Sequence, residues 1–444
     1  MKSNRGFSSS VVLFAVLGLT VTLFLVRKLY INKVYTLPVG QNEEVAPMNK
    51  TNSIQVPQKD GLSHGPTFPI TSCVNIEKPG IYTLSQNVLK KESGICLKIS
   101  NVKAVTINCE AHQVVGETPL MIENSSDVTL RACYFDGHTS ESSEVVITNS
   151  QDITIENSFF NERKSPRRFT IFVSDSFNIS LRENTVFGRY AQTFSKNTLL
   201  EKNTFILANP SKWSLGGGLI ELAYGSFNRV VANTIDGAMI TGTQLGADDG
   251  ILINSESNGY IAYNQIKNTW DCGIETFATI KETSFEKNTI HNTAYCGIGG
   301  WHYNSLLNNS FKNNTIKDTK FGFMFGRVHG MRPVQTQGNS GNIIPADTAY
   351  FKNNVFSGNI LSGTTSASSF TLLPGDDVSQ VSGERPVSVT DIQISGNIFS
   401  SNDFDSVFAP TFSPAEIATD GGSNKCEPVE SMANYPKGYP LKCK

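Results

Sequence analysis

The chain has 444 residues, of which 17% are charged, and a formal net charge of −2. That near balance excludes a nucleic-acid partner, since phosphate binding needs a strongly basic face, and the length suffices for a large buried core. Uncharged Asn, Ser and Thr supply most of the polarity alongside frequent Gly, a composition suited to many short strands joined by turns.

Residues 1–10 form a short flank. Val11 to Val26 is apolar apart from Gly18, Thr20 and Thr22. With Ser8 to Ser10 it reaches the shortest length able to span a bilayer. Arg27, Lys28, Leu29 and Tyr30 follow where a signal peptidase would need small residues. The segment is therefore expected to remain as a single-pass transmembrane anchor at residues 11–26. Lys2 and Arg5 on one side match Arg27 and Lys28 on the other, so flanking charge does not orient it. Residues 27–71 follow as a flexible spacer, rich from residue 38 in Pro, Gln, Asn, Ser and Gly and without apolar periodicity.

Within a body expected at residues 72–405, a short pattern recurs from Asn101 onward: apolar-x-apolar-x-x-Asn-x-apolar. Copies end on Asn157, Asn184, Asn203, Asn233, Asn264, Asn288, Asn314, Asn354 and Asn397, 19 to 43 residues apart. A period in this range marks a solenoid, in which each coil buries its inner face on the next. Ile, Val, Phe and Leu alternate at the inner positions and no segment has helical spacing, so the expected coils are stacked parallel strands rather than leucine-rich repeats. The asparagines are assigned to a hydrogen-bonded stack at one turn, a structural task. The expected fold is all-β, a right-handed parallel β-helix, closed by a cap or tail at residues 406–444.

The opening stretch Cys73-Val-Asn-Ile-Glu-Lys-Pro-Gly-Ile-Tyr-Thr-Leu84, then Gly94-Ile-Cys96-Leu-Lys-Ile99 and Val105-Thr-Ile-Asn108, resembles the first coils of pectin-lyase-like right-handed β-helix proteins. The copies of apolar-x-Asn-Asn-x-Ile are similar to the parallel β-helix repeats of that superfamily. The resemblance covers about three quarters of the chain and implies a fold, not a reaction, because the superfamily holds lyases, hydrolases, epimerases and non-catalytic adhesins. Its Asn-Thr-Asp, Gly-His-Gly and Asp-Pro-His motifs are missing here.

Four segments align on Gly250, Gly273, Gly297 and Gly322, spaced 23, 24 and 25 residues apart, as four consecutive coils. Ile251, Ile274, Ile298 and Phe323 are expected inside. Side-chain alternation places Asp249, Cys272, Cys296 and Phe321 on the same inner side. The outer face then carries Asp248, Asp271, Tyr295 and Lys320 in one column, Glu221 and Glu275 in another, and Trp301 in a third, with His302 and Arg327 at strand ends. Glu221, Asp248, Asp271 and Glu275 are the candidate catalytic acids. Tyr295, Trp301, Lys320, His302 and Arg327 are the candidate substrate-binding residues. Carboxylates can act as general acid and base, and aromatic rings stack on sugar faces. This points to a polysaccharide as partner and to glycoside hydrolysis or β-elimination, the latter with Ca²⁺ on the Asp pair. The alternative is a non-catalytic surface β-helix for adhesion, glycan binding or envelope structure.

Eight cysteines with no C-x-x-C pair point to disulfides and an extracytoplasmic body, at the cell surface, in a periplasm or in a secretory lumen. Cys272 and Cys296 share an offset on adjacent coils and are expected to pair, as are Cys426 and Cys443 in the tail. Cys73–Cys96 and Cys109–Cys133 are one-coil partners, with Cys96–Cys109 the alternative.

Overall fold

A computed structural model describes residues 67–427 outside 138–142, 162–168, 211–216, 302–304, 328–348, 364–367, 373–386, 401–407, 411–417, 421–424 and breaks of one or two residues; side-chain detail ends at residue 363. The expected anchor at residues 11–26 and most of the spacer at 27–71 lie outside the described residues. Among the described residues no helix is long and apolar enough to cross a membrane.

The strands stack as parallel coils. Ser126–Arg131, Tyr134–Gly137 and Val145–Thr148 make up one coil. Each pairs in parallel with a strand one coil earlier and one coil later. The first series builds a 14-stranded sheet from end to end. The ladder begins at Thr67–Ile70 and runs past residue 405. Phe408–Pro410, Ala418–Asp420 and Lys425–Glu427 each pair with the coil before them. The predicted boundaries at 72 and 405 are therefore too narrow. Parallel pairing is a backbone interaction and continues where the apolar repeat fades.

The core is a single column of Ile, Val, Leu and Phe inside the coils. Like residues stack on successive rungs, as where Phe311 lies between Phe285 at 4.7 Å and Phe356 at 4.5 Å. Asparagine stacks at two turns, not one. Asn184, Asn203, Asn233, Asn264, Asn288, Asn314 and Asn359 form the first ladder. Each amide Nδ2 donates to a buried carbonyl of the preceding coil, and each from Asn184 to Asn314 also donates to the next Oδ1 near 3.0 Å. Asn309 and Asn354 belong to a second ladder, which runs through Thr198, Asn228, Gly259 and Thr283 before them. Asn157 stands beside the first ladder at φ 52°, and Ser158 takes its rung. The predicted single column thus merged two, because both turns carry the same Asn pair, Asn308-Asn309 at one and Asn313-Asn314 at the other.

Cys73–Cys96, Cys109–Cys133 and Cys272–Cys296 are bonded, each across one coil. No described cysteine is free, the state of a chain folded outside a reducing cytoplasm. Cys443 lies outside the described residues.

Candidate active site

Three long strands, Gly218–Ser226, Asp249–Ser257 and Cys272–Lys281, form adjacent rungs. Their register stacks Glu221, Leu252, Glu275, Gly299 and Met324 in one outward column. Asp248 and Asp271 stack beside it, the Asp271 amide donating to the Asp248 carbonyl at 2.9 Å. Tyr295 continues that column by donating its amide to the Asp271 carbonyl at 3.1 Å.

The structure corrects the side assigned to Asp249, Cys272, Cys296 and Phe321. These residues face outward with Glu275, not inward with Ile274. The inward position belongs to the aligned glycines. A Cβ on Gly250, Gly273 or Gly297 would run into Ile266, Ile290 or Ile316 of the core and into the next glycine's carbonyl. Glycine and the following Ile thus both face the core, which breaks the alternation by one residue, as a bulge does. Cys272, Cys296 and Met324 consequently form a second apolar cluster outside the main core, with Phe277, Tyr295 and Phe321 packed on it.

With that correction five carboxylates converge: Glu221, Asp248, Asp249, Asp271 and Glu275. They are not a solvated strand face. Asp249 is fully buried and Glu275 is 4% exposed, while Glu221 and Asp271 keep partial contact with water. Asp249, Asp271 and Glu275 hold carboxylate oxygens within 4.8 Å of one another. Asp249 Oδ1 accepts from the Cys272 amide at 3.2 Å, and Asp248 Oδ2 accepts from the Gly217 amide at 3.1 Å. Arg189 enters from the preceding coil and pairs with Glu221. Its Nε donates to the Gly218 carbonyl at 2.9 Å, and its guanidinium lies 4.8 Å from the Phe169 ring centre. Gly217, at φ +123°, lies so close to this ion pair that no side chain would fit.

Like charges in a dry place hold protons. Burial pushes the Asp271 pKa up to about 7, and the neighbouring Asp248 adds to it. Burial likewise raises Asp248 to about 6, with Glu221 adding and the Gly217 amide and Arg189 opposing. Asp249 and Glu275 are pushed well above the ordinary carboxylate range, chiefly by burial and further by their acidic neighbours. Glu221 is also raised by burial, against the pull of Arg189. The cluster therefore carries shared protons near neutral pH. It offers a general acid, a carboxylate partner and three oxygens with which Asp249, Asp271 and Glu275 could hold a hard cation.

The predicted binding residues fare differently. Tyr295 is half buried, its ring occupied by Phe321 at 5.1 Å and by the Lys320 ammonium at 5.0 Å. It is a wall of the disulfide cluster rather than an open platform. Trp301 and Arg327 pair through their backbones on neighbouring rungs; their side chains and all of His302 lie outside the described residues. Sequence reasoning missed Asp249, although a glycine recurring in phase inside a strand signals an inward position with no room, and so turns its predecessor outward. It also missed Arg189, whose partner Glu221 lies 32 residues away with no motif to link them.

Residues 72–249 match the family model of the right handed beta helix region. The ladder and that match define the same class: a right-handed parallel β-helix, the architecture of the pectin-lyase-like proteins that the opening coils resemble. Solved structures similar to the chain include a double mutant of the periplasmic alginate epimerase AlgG, at 13% identity over 71% of this chain and 78% of that one, TM-score 0.40. They also include a GH87 alpha-1,3-glucanase catalytic domain with nigerose, at 12% identity over 79% and 64%, TM-score 0.46. A PL6 alginate lyase with a trisaccharide matches at 12% identity over 83% and 91%, TM-score 0.40. No curated protein matches significantly in sequence.

Proposed function

We propose that the chain is an extracytoplasmic enzyme that hydrolyses glycosidic bonds of a polysaccharide, tethered to a membrane by Val11 to Val26. The observation that carries this reading is the stack of carboxylates outside the core, with Asp271 and Asp248 raised to about 7 and about 6. Glycoside hydrolysis needs a carboxylic acid still protonated near neutral pH to protonate the leaving oxygen, and a carboxylate across from it. Asp271, partly open to water and highest in pKa of the two, is the assigned acid. Asp248 is its partner carboxylate, and burial together with the Asp248 charge keeps the proton on Asp271.

Hydrolysis fits the described residues better than β-elimination. Elimination removes a proton next to a uronate carboxyl, and that anion would lie against an acid cluster whose neighbouring guanidinium, Arg189, is already committed to Glu221. The substrate expected is therefore a neutral polysaccharide. A panel of neutral and uronic-acid polysaccharides, assayed for new reducing ends and for unsaturated products, tests this. New reducing ends from a neutral polymer without unsaturated products support hydrolysis. Unsaturated products, or glycan binding with no cleavage by wild type, overturn it. Under this reading shared protons, not Ca²⁺, neutralise the cluster, so excess chelator leaves turnover unchanged. Loss of activity restored by Ca²⁺ would reassign Asp249, Asp271 and Glu275 as metal ligands.

A further inference from the structure

Two disulfides close loops of the same length, a sequence separation of 24 in both Cys109–Cys133 and Cys272–Cys296. In the chain-entropy account they therefore restrict the unfolded chain equally. Their places differ. Cys109 and Cys133 are part of the main core among the Ile and Leu columns. Cys272 and Cys296 are outside it and touch the acids at several points. The Cys272 amide donates to Asp249 Oδ1 at 3.2 Å, and Cys272 Sγ lies 3.5 Å from Asp271 Oδ1. The amides of Tyr295 and Cys296 both donate to the Asp271 carbonyl at 3.1 Å. Gly299, the rung after Glu275, has no side chain, and the two sulfurs fill the space its Cβ would take.

We infer that the Cys272–Cys296 disulfide is a positioning element of the acid site, locking the rungs that carry Asp249, Asp271 and Glu275 and sealing their far side from water. The main core does not need it, since that core runs continuously beneath through Ile274, Ile290 and Ile298. A mobile pair of thiols or alanines there would let Asp271 shift on its rung and let water reach it. The inference rests on the acid cluster being the working site, but its first test requires no turnover.

The test compares full-length wild type with the double variants C272A/C296A and C109A/C133A by carbon-13 carboxyl titration after selective aspartate labelling, with D271N assigning the signal. The wild-type Asp271 midpoint is expected at about 7. In C272A/C296A it falls toward the ordinary carboxylate range, because water replaces the sulfurs and burial is what raised it. In C109A/C133A it stays where it was, although that variant loses comparable thermal stability. Gly299→Ala provides a second route should C272A/C296A fail to fold: its methyl group displaces Cys296 Sγ without removing the bond, and it too lowers the midpoint. On a hydrolysed substrate C272A/C296A loses about 10²-fold in kcat with KM retained, the usual consequence of a misplaced acid. An Asp271 midpoint unmoved in both C272A/C296A and Gly299→Ala, or moved equally by the two double variants, overturns the inference. If wild type cleaves no glycan while the titrations behave as stated, the hydrolase reading fails and the positioning role stands.

Discussion

Two stretches of the same solenoid treat charge on neighbouring rungs in opposite ways. In the coils before residue 202, outward charges alternate in sign up the stack: Arg131, Glu156, Arg182 and Glu201 are successive register partners. Arg131 Nε lies 2.6 Å from Glu156, and Arg182 Nε lies 3.5 Å from Glu201. Two or three coils later Asp248, Asp249, Asp271 and Glu275 stack with like sign. Opposite charges across a parallel rung help the sheet slightly, and like charges oppose it. The fold thus has a ready way to neutralise a rung and does not use it in the central coils. A like-charged buried cluster costs stability, and such a cost is characteristic of groups held for chemistry.

The contrast is broken most severely by neutralising one acid. Asp271→Asn should lower kcat by about 10³-fold on a cleaved glycan, the scale of general acid catalysis. The same variant should melt above wild type at pH 8, because it removes like-charge repulsion. Glu156→Gln, in the alternating ladder, should leave turnover intact and cost at most about 1 kcal/mol. Steady-state kinetics and thermal unfolding on the three proteins read both effects.

Next in size is the polar ladder common to both regions. Asn264 donates to Asn288 and to the Val230 carbonyl, and accepts from Asn233. Asn264→Ala leaves buried partners unpaired and should cost about 3 kcal/mol in denaturant unfolding. A cost below 1 kcal/mol would show that these ladders are ornament rather than support.

The smallest effect lies in the pH dependence. Gly259 lacks a side chain on the second ladder, and Glu256 reaches in to accept from both nitrogens of Asn228, at 3.1 and 2.8 Å. Burial raises its pKa from 4.5 to about 8. A raised carboxyl means the folded state binds the extra proton. Its contribution is complete below about pH 4.5, declines through the window from 4.5 to 8 and is lost above it. Wild-type stability should therefore fall as pH rises through that window, with Glu256 alone contributing about 1.4 kcal/mol per pH unit. In Glu256→Gln one oxygen can accept both donors, as the ladder asparagines do, and the slope should become shallower by that amount. An unchanged slope would contradict the assignment.

The solenoid is legible in the sequence because its two requirements, an apolar inner face and a turn amide, repeat along the whole chain. The acid columns are legible too, since Gly250, Gly273 and Gly297 set their phase. What strict alternation hid is the bulge at those glycines, where crowding against Ile266, Ile290 and Ile316 reverses the side of the preceding residue. That reversal moved Asp249 from the presumed core into the site and moved the Cys272–Cys296 bond to its flank. Burial was hidden for a related reason: whether an outward strand is wet depends on what packs over it, which no local pattern encodes.

The most direct test of the account is the titration of the central acids themselves. Carbon-13 carboxyl shifts of selectively labelled aspartate, assigned with D248N and D271N, should show Asp271 and Asp248 releasing protons near 7 and near 6. The Asp271 midpoint should fall in Asp248→Asn, where its neighbouring negative charge is gone. Midpoints below about 4.5 for both in wild type, within the usual spread for aspartate, would mean the cluster is fully ionised at neutral pH and has no proton to give a leaving sugar.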